Sequence, residues 1–357
     1  MSAESKTEGL PRIARYKPYY WELEAGRSYL WCACGRSRNQ PFCDGSHKGT
    51  GINPIRYKCE TDGEEVLFCG CKHSRTAPFC DGAHNNLRDS YDEDDPDSPG
   101  NRSIPQVDSD PDGKARLDGG CFVAHVRDLE TRTHGTLTIA RVISAEDGAV
   151  WQSHFRIQAA AGVSPVIAFG ARHCILLVTE GTGTVQIGDR RFEVAPEMGI
   201  YGRPGETLRI ETDQGLQVNA AVCPLTDWPD FPSAMAEDFD ATFAERRVRI
   251  DPVNRQAMAD RFFQILVDRS VGSDMATQFI GEIPQSKAAP HRHLYEESLV
   301  VLRGVGMMWT EAKKTPVRTG DVIFLPRKQI HSLQCTDPGG MLLAGVIYPG
   351  DNPAINY

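Results

Sequence analysis

Residues 32–47 read CACGRSRNQPFCDGSH, and residues 69–84 read CGCKHSRTAPFCDGAH. The two stretches start 37 residues apart (69 minus 32) and align without a gap as C-x-C-x2-S-x3-P-x-C-D-G-x-H. A glycine and an aromatic residue recur at the same offset ahead of each stretch, as Gly26 with Gly63 and Trp31 with Phe68. The chain therefore contains a tandem repeat of one small unit rich in Cys and His.

The residues of each copy allow two kinds of metal site. Three thiols and one imidazole form a common zinc set, and they can also hold an iron–sulfur cluster. Zinc sites usually space paired thiols as C-x2-C, whereas this pair is C-x-C. The third Cys and the His are four residues apart, which puts His47 about one helical turn beyond Cys43. Spacing alone leaves both alternatives open.

The whole pattern resembles the CDGSH, or mitoNEET-type, iron–sulfur proteins, whose [2Fe–2S] cluster is held by three Cys and one His. The resemblance covers about residues 10–86, and Ala83 is the one departure from the motif. It implies two [2Fe–2S] clusters, one bound by Cys32, Cys34, Cys43 and His47 and the other by Cys69, Cys71, Cys80 and His84. A neutral His in place of a thiolate raises the reduction potential of a cluster. We expect the outer nitrogens of His47 and His84 to face outward and to act as electron exit groups.

The composition of the 357 residues is that of an ordinary globular chain, with 40% hydrophobic and 24% charged residues. No apolar run is long enough to span a membrane, and the first residues lack the features of a secretory signal. Five of the 11 Cys are scattered singly outside the repeat, which fits a reducing compartment. We therefore predict a cytoplasmic protein with no membrane contact. The net charge of −9 argues against nucleic acid as a partner.

The N-terminal part of the chain divides into a small domain and a linker. Residues 10–87 are predicted to form the tandem CDGSH domain from two β-hairpins, which turn at Ala25-Gly26 and at Asp62-Gly63. Residues 88–118 are dense in Asp and are predicted to form an acidic linker. Three of these Asp residues resemble the start of an EF-hand loop, but the twelfth position is Gly119 and not Glu, which argues against calcium.

The rest of the chain has the sequence texture of a mainly β fold. Short alternating apolar runs recur between Gly, Pro and Asp residues, as in sandwiches and barrels. We assign residues 119–225 to one barrel and residues 262–357 to another. Residues 226–261 are predicted to connect them, with a short helix that has Asp251 as its N-cap and Pro252 at its first position.

A second set of potential metal ligands lies in the C-terminal part. His291 and His293 are two apart, so they converge on one face of a strand, and Glu297 shares their parity. Gly304 and Gly306 are predicted to form a turn, and the run from Gly320 to Pro326 then leads to His331. Three imidazoles and one carboxylate suit a divalent first-row metal with open coordination positions.

This set resembles the two motifs of the cupin family, H-x-H-x3-E-x6-G followed by G-x5-P-x4-H. The resemblance covers about residues 262–350 and implies a double-stranded β-helix barrel with His291, His293, Glu297 and His331 as metal ligands. Residues 119–225 resemble a degenerate first cupin, in which Ala168, Gly170, Cys174 and Leu208 or Arg209 occupy the ligand positions. The fold expected for the whole chain is thus a tandem CDGSH domain followed by two cupin barrels, with a metal in the second barrel.

These sites together suggest an oxidoreductase. The leading hypothesis is a mononuclear non-haem iron cupin oxygenase that oxidises a small organic substrate with O2 and takes electrons from the two fused clusters. The barrel metal would be Fe(II), although the ligand set also permits Mn, Ni or Zn. The residues expected to line the pocket are Phe279, Tyr295, Met307, Trp309 and Phe324. An external reductase or ferredoxin would supply the electrons, and the sequence is compatible with a homodimer.

Two alternatives stay open at this stage. The chain could be a non-enzymatic redox sensor or cluster-transfer protein whose cupin binds a small ligand. It could also be a redox-neutral, metal-dependent isomerase or lyase in which the clusters are structural.

Overall fold

The computed structural model describes residues 9–87, 94–126, 129–236, 239–258 and 260–357. These residues form two compact units, which are described separately. The first contains the described residues up to Leu87 together with residues 352–357, and the second contains those from Asp94 to Asp351. No helix within these described ranges has the length and apolar character needed to cross a membrane.

The first unit is built from strands that pair between the two copies of the repeat. It contains β1 (Tyr19–Leu23), β2 (Ser28–Trp31), β3 (Ile55–Lys58), β4 (Glu64–Phe68) and a 3-10 helix at Ala83–Asn86. Strand β1 pairs antiparallel with β4, and β2 pairs antiparallel with β3. The predicted hairpins within each copy are therefore wrong. Each turn bonds instead to the other copy, because Gly26 N donates to Cys59 O and Gly63 N donates to Leu23 O, both at 2.9 Å.

This exchange of strands gives the two copies one shared core. Trp31 and Phe68 are almost completely buried, and the Phe68 ring packs against those of Phe42 and Phe79 at centroid distances of 5.5 and 5.6 Å. The Trp31 indole also donates to Cys69 O at 3.1 Å. Neither copy holds enough apolar residues for a core of its own, so the pairing between copies supplies what one small unit lacks.

The second unit contains two β-barrels. In the first barrel, a seven-stranded sheet faces a five-stranded sheet. The seven strands, in sheet order, are β18 (Arg247–Arg249), β15 (Met198–Gly202), β12 (His173–Gly181), β17 (Leu216–Cys223), β9 (Ser153–Ala159), β8 (Leu137–Ile143) and β7 (Thr131–His134). The five strands are β10 (Gly162–Val163), β11 (Ile167–Ala168), β16 (Thr207–Thr212), β13 (Gly183–Ile187) and β14 (Arg190–Val194).

The second barrel combines an eight-stranded and a three-stranded sheet. The larger sheet runs β19 (Gln256–Met258), β20 (Arg261–Val267), β21 (Thr277–Ile283), β27 (Met341–Tyr348), β22 (Glu296–Arg303), β25 (Val322–Leu325), β6 (Phe122–Ala124) and β5 (Lys114–Arg116). The smaller sheet runs β24 (Lys314–Arg318), β23 (Val305–Trp309) and β26 (Ser332–Cys335).

The strand pairing places some segments in a different part of the fold from the one predicted. Residues 88–93 of the predicted linker lie outside the described residues, but residues 94–118 are not a free spacer. They contain α1 (Pro99–Ser103) and strand β5, which pairs with β6 and so extends the sheet of the second barrel. The predicted assignment of β6 to the first barrel is therefore wrong, because its hydrogen bonds go to β25.

The connection between the barrels also carries structure. Strand β18 pairs with β15 of the first barrel, although it precedes the second barrel in the sequence. The predicted short helix is a 3-10 helix at Pro252–Asn254, and Asp251 caps it by accepting a hydrogen bond from Val253 N. Further 3-10 helices lie at Asp118–Gly120, Ala145–Asp147, Ala241–Phe243 and Arg269–Val271.

Each large sheet has apolar side chains on both of its faces, and the two faces contribute to different hydrophobic cores. The interior of the first barrel is filled by apolar side chains, among them Leu137, Phe155 and Val218. The large sheets of the two barrels share a second core, which includes Phe122, Val300 and Phe324. Because successive residues of a strand point to opposite faces, the neighbours of Val300 on β22, such as Leu299, point into the second barrel.

Replacement of Phe324 is expected to weaken this second unit. Phe324→Ala should lower the free energy of unfolding by about 3–5 kcal/mol, because the ring is fully buried and packs on Phe122 at 5.4 Å. Thermal or urea unfolding measures the change. Val305→Ala, at a position that is 45% exposed, is the control and should cost about 1 kcal/mol or less. Equal effects of the two substitutions would contradict this assignment.

Candidate metal centres

The Cys and His residues of each repeat are brought together in pairs. In the first copy, the sulfur atoms of Cys32 and Cys34 lie 3.7 Å apart, and Cys43 Sγ lies 3.0 Å from His47 Nδ1. The second copy repeats this arrangement, with 3.5 Å between the sulfurs of Cys69 and Cys71 and 3.5 Å from Cys80 Sγ to His84 Nδ1. The two copies therefore offer the same pairs of ligand atoms.

Backbone hydrogen bonds hold these loops. The amides of Cys32 and Cys43 donate to backbone carbonyls at 2.9 and 2.7 Å, and those of Cys69 and Cys80 do so at 2.8 Å. In the first copy the Asp44 carboxylate accepts from two amides of its own loop, both at 3.0 Å. Hydrogen bonds from Ser46 and from the amide of Arg38 hold the pKa of Asp44 well below its usual value. The Asp of the motif thus shapes the ligand loop.

In the second copy, the hydrogen bond between Cys69 and Cys71 favours the thiolate of Cys69 and raises the pKa of Cys71 well above its usual value. The hydrogen bond from Cys71 lowers the pKa of Cys69 to about 6, so a thiolate is accessible near neutral pH. Lys72 adds a positive charge nearby, since its buried ammonium donates to Cys69 O at 3.0 Å and lies 4.6 Å from the Trp31 ring. Burial lowers the pKa of Lys72 to about 8, while the surrounding thiols of both copies act in the opposite direction.

The pairwise arrangement fits a two-iron cluster. A single tetrahedral zinc would draw all four ligand atoms of a copy around one point. In the described residues, the one group of three potential ligand atoms lying within 4.8 Å of one another is elsewhere, at His293, Glu297 and His331. Within each repeat the ligands meet two by two, which suits a cluster that takes two protein ligands on each of two irons.

The two cluster histidines differ in exposure. His47 is half-buried, whereas His84 is only 5% exposed. The expectation that both imidazoles face outward is therefore wrong for His84.

The second centre lies in the second barrel, where strand pairing gathers residues that are distant in sequence. His291 and His331 face each other in an isolated antiparallel bridge, with amide-to-carbonyl distances of 3.0 and 2.9 Å. Glu297 lies on β22, and His293 lies between the bridge and that strand. The ligand atoms of His293, Glu297 and His331 come within 4.8 Å of one another, and all three side chains are buried. His291 lies beside this group, and its ring centroid is 4.5 Å from that of His331.

Local hydrogen bonds set the tautomer of all three imidazoles. Each Nδ1 lies next to a backbone carbonyl two residues away, at 2.9 Å for His291, 2.8 Å for His293 and 2.9 Å for His331. A carbonyl can only accept, so each Nδ1 carries the hydrogen and donates it. Each neutral ring therefore keeps the lone pair on Nε2, which is the arrangement found in metal-binding histidines.

The contact between His293 and Glu297 tests whether a cation fits. His293 Nε2 lies 2.9 Å from a carboxylate oxygen of Glu297, yet this buried nitrogen has no hydrogen-bond partner of acceptable geometry. Two atoms that carry lone pairs face each other across this distance with little water around them. Such an arrangement is costly in a buried site unless a positive charge lies between the atoms. The donor set therefore fits a divalent metal ion.

His331 is held in the form that binds a metal. Burial, together with the neighbouring imidazoles of His291 and His293, lowers the pKa of His331 well below its usual value. The ring is thus neutral at physiological pH, and its Nε2 lone pair is available.

The predicted pocket residues divide between two faces of the strands. Phe279 points into the barrel and covers Gly345, since a Cβ there would lie 2.4 Å from the ring. Tyr295 stacks on the His293 ring at 4.1 Å. Phe324 faces the first barrel instead. Met307 and Trp309 lie on the outer face of β23, where the Trp309 indole donates to Gln334 and contacts Lys314. The prediction is therefore wrong for these three residues, because their strand parity is opposite to that assumed.

The side chains that point into the barrel come from the alternate positions of these strands, which the sequence did not single out. Met308 is completely buried and lies opposite Leu333, which is also buried. Leu299 lies next to Gly345 in the strand register, one inward-facing position from Glu297. Gly306 lies on the same face of β23 as Met308, and a Cβ there would lie 1.9 Å from Gln334 O, but one sequence does not show that crowding.

The first barrel has a different interior. Cys174 and Leu208, two of the positions aligned with metal ligands, belong to its apolar core, and burial raises the pKa of the Cys174 thiol. His173 is engaged by the Tyr201 hydroxyl at 2.7 Å. Groups of three potential ligands within 4.8 Å are not found among the described residues of this barrel.

Comparison with known proteins supports both parts of the chain. The family described as iron-binding zinc finger CDGSH type matches residues 8–48, and the cupin domain family matches residues 281–346. The chain therefore combines a CDGSH-type iron–sulfur domain with a cupin domain. The mitochondrial CDGSH iron-sulfur domain-containing protein 3 of Mus musculus is 49% identical over 57 residues, or 15% of this chain. Its Homo sapiens counterpart is 50% identical over 50 residues, or 13% of this chain. The matches span only 42% and 39% of those two proteins.

Solved structures resemble the barrel unit in fold. The oxalate decarboxylase of Lactobacillus farciminis, solved as a formate complex, gives a TM-score of 0.50 at 11% identity over 64% of this chain and 86% of its own. Protein Ylba from E. coli gives a TM-score of 0.50 at 12% identity over 67% of this chain and 95% of its own. Identities this low show a shared cupin fold and nothing about the reaction.

Replacement of a cluster histidine by Cys tests the nature of the clusters. His47→Cys should keep a visible chromophore and lower the reduction potential of one cluster, because a thiolate adds negative charge. Spectroelectrochemistry measures the shift, and His84→Cys provides the matched variant in the second copy. Protein that is colourless as isolated and carries two zinc ions would contradict the cluster assignment.

Removal of His331 tests the barrel site. His331→Ala should reduce the mononuclear metal content to near zero and leave the cluster spectrum unchanged, since a ligand is lost only in the barrel. Metal analysis by mass spectrometry measures this content. His173→Ala is the control and should retain the metal. Loss of metal in the control would mean that the first barrel contributes to the site.

Proposed function

We propose that this chain is a mononuclear non-haem iron oxygenase that oxidises a small organic substrate with O2. His293, Glu297 and His331, with His291 beside them, would hold Fe(II), and the two copies of the repeat would hold two [2Fe–2S] clusters that supply electrons. The observation that carries this proposal is the buried set of lone-pair donors in the barrel, on a chain that also has a CDGSH domain.

The number of clusters matches the electron requirement of a monooxygenation. Insertion of one oxygen atom into a C–H bond consumes O2, two electrons and two protons, and it yields the hydroxylated product and water. Each [2Fe–2S] cluster stores one electron, so two clusters store what one turnover needs. An external reductase or ferredoxin would refill them one electron at a time.

The protein residues of the barrel would orient the reaction and exclude water. The carbonyl bonds to each Nδ1 fix the imidazole rings, and they leave Nε2 of His293 and His331 for the ligand group. Fe(II) with open coordination positions supplies O2 activation in such sites. Phe279, Leu299 and Met308 give the barrel an apolar interior, which favours a small and largely apolar substrate.

Two other functions are tested by the same measurements. The barrel ligand set also accepts Mn, Ni or Zn, which favours a redox-neutral, metal-dependent lyase or isomerase as the second candidate. The partly exposed His47 favours a sensor or cluster-transfer role. The cytoplasmic location, the small-molecule substrate and the homodimer stay predictions from the sequence.

Binding of nitric oxide, a surrogate for O2, distinguishes these functions. Protein purified without oxygen should contain about five irons and about four sulfides per chain if one mononuclear Fe(II) accompanies two [2Fe–2S] clusters. Nitric oxide should then give an electron paramagnetic resonance signal typical of mononuclear iron, and His293→Ala should abolish it. A barrel filled with Mn, Ni or Zn in protein purified from iron-replete cells would contradict the oxygenase and favour the lyase.

Reoxidation of the clusters tests their connection to the barrel. Chemically reduced clusters should be reoxidised faster when O2 and a compound from a library of small apolar substrates are both present. His331→Ala should remove this acceleration, because the barrel no longer consumes the electrons. Reoxidation at one rate throughout the library, unchanged in His331→Ala, would favour the sensor instead.

A further inference from the structure

The two copies of the repeat have matching ligand loops but different surroundings. Gly45 and Gly82 occupy the same position of the motif and have similar backbone φ angles of +91° and +84°. A Cβ added at Gly45 would meet no atom within 4 Å, whereas one added at Gly82 would lie 2.8 Å from Ala354 Cβ. A segment from the far end of the sequence therefore covers the second loop, while the same position of the first loop is open.

Specific contacts attach this segment, residues 352–357, which we call the cover. Asn85 Nδ2 donates to Ala354 O at 2.8 Å, and Asn352 Nδ2 donates to Asp81 O at 3.2 Å. The Tyr357 ring stacks on Tyr20 at a centroid distance of 5.7 Å. These contacts bracket the cluster ligand His84, which lies between Asp81 and Asn85 in the chain.

The cover is buried, and the His ligand of the copy on which it packs is less exposed than the equivalent His of the other copy. Ala354, Ile355 and Asn356 are each less than 9% exposed, and His84 is 5% exposed. His47, the equivalent ligand of the first copy, is half-buried. Because the ligand motifs of the two copies are nearly the same, the difference in exposure arises from what packs on them.

The open loop is also the more basic of the two. Arg36, Arg38 and Lys48 lie within or next to this loop in the sequence and are exposed. His73, Arg75 and Asn85 stand at the equivalent positions of the second copy. Within the described residues, the side chains of the three basic residues form no ion pair with a carboxylate, so their charge is available to a partner.

We propose that the cover closes the second cluster to external partners, so that an acidic one-electron carrier protein docks at the first copy, around His47. This inference rests on the two clusters of the proposed function and does not depend on the chemistry of the barrel. In each encounter, one electron leaves the reduced carrier and enters the first cluster, and no covalent bond changes. Positive charge around an exposed redox centre attracts a negatively charged carrier and raises its association rate.

Loss of iron to a chelator tests the cover. The full chain with reduced clusters, mixed anaerobically with the ferrous chelator bathophenanthroline disulfonate, should lose its visible absorbance in two phases of similar amplitude. Deletion of residues 352–357 should accelerate the slow phase by roughly tenfold or more, because two hydrogen bonds and the burial of apolar side chains are lost. The fast phase should not change. A single rate in the full chain, or a slow phase unaffected by the deletion, would overturn the proposal.

A point variant covers the case in which the deletion prevents folding. Asn85→Ala removes one hydrogen bond to the cover and should accelerate the slow phase by several-fold. Lys48→Ala changes the equivalent position of the first copy and should leave the slow phase unchanged. If both variants change the slow phase equally, the cover does not protect the second cluster. This experiment uses neither the barrel metal nor O2, so its outcome is separate from the oxygenase proposal.

Electron transfer from a carrier tests the docking face. Reduced plant-type ferredoxin, an acidic protein, serves as the probe in stopped-flow mixing with the oxidised full chain. Arg38→Ala should slow the second-order reaction by roughly threefold or more and flatten its dependence on salt. Arg75→Ala, the matched variant of the second copy, should have little effect. Equal effects of the two variants, or a rate that does not depend on salt, would overturn the assignment of the docking face.

Discussion

Lone pairs held together in buried space are the constraint on which this structure depends. In the barrel, an imidazole nitrogen of His293 lies 2.9 Å from a Glu297 oxygen, and when the ring is neutral the Nδ1 contact to Tyr295 O leaves no hydrogen between them. In the repeats, thiols lie within 3.5–3.7 Å of each other inside a small core. A cation bound between these atoms would stabilise both arrangements, so metal binding would add to the stability of each centre.

Strand register explains why the ligands are in one barrel and not in the other. Both barrels present alternate residues to their interiors, but the first fills this space with side chains such as Phe155 and Val218. In the second barrel, one row of the large sheet contains Glu297, and the next inward row contains Leu299 beside Gly345. The missing side chain at Gly345 makes room for the Phe279 ring, so the ligands lie next to an apolar layer that excludes water and strengthens electrostatic interactions.

The sequence predicts the kinds of element, and singles out candidate metal ligands, more readily than it predicts which elements meet. Spacing is enough to single out Cys32 or His331, because metal ligands impose fixed intervals along the chain. Strand pairing depends on contacts between residues that are distant in the sequence. Local sequence patterns therefore do not show that β1 and β2 pair with strands of the other repeat, or that β6 joins the sheet of the second barrel. The face of a strand on which a given residue lies is equally difficult to predict. One wrong step of register places Trp309 or Phe324 on the interior face, although each lies on the opposite side of its strand.

Duplication within this chain shows how much of a metal site lies outside its motif. The two copies share their types of ligand residue, equivalent loop hydrogen bonds and one core, yet they differ in features that the motif does not specify. Lys72 brings a buried positive charge to the second copy, where the first copy has Gly35, and a Cβ at Gly35 would lie 1.7 Å from Arg12 O. The last residues of the chain bury His84 and leave His47 partly exposed. A charge beside the sulfurs and the exclusion of solvent both change the potential of a cluster. Two clusters bound by these equivalent ligand sets would thus differ in potential and in access to solvent.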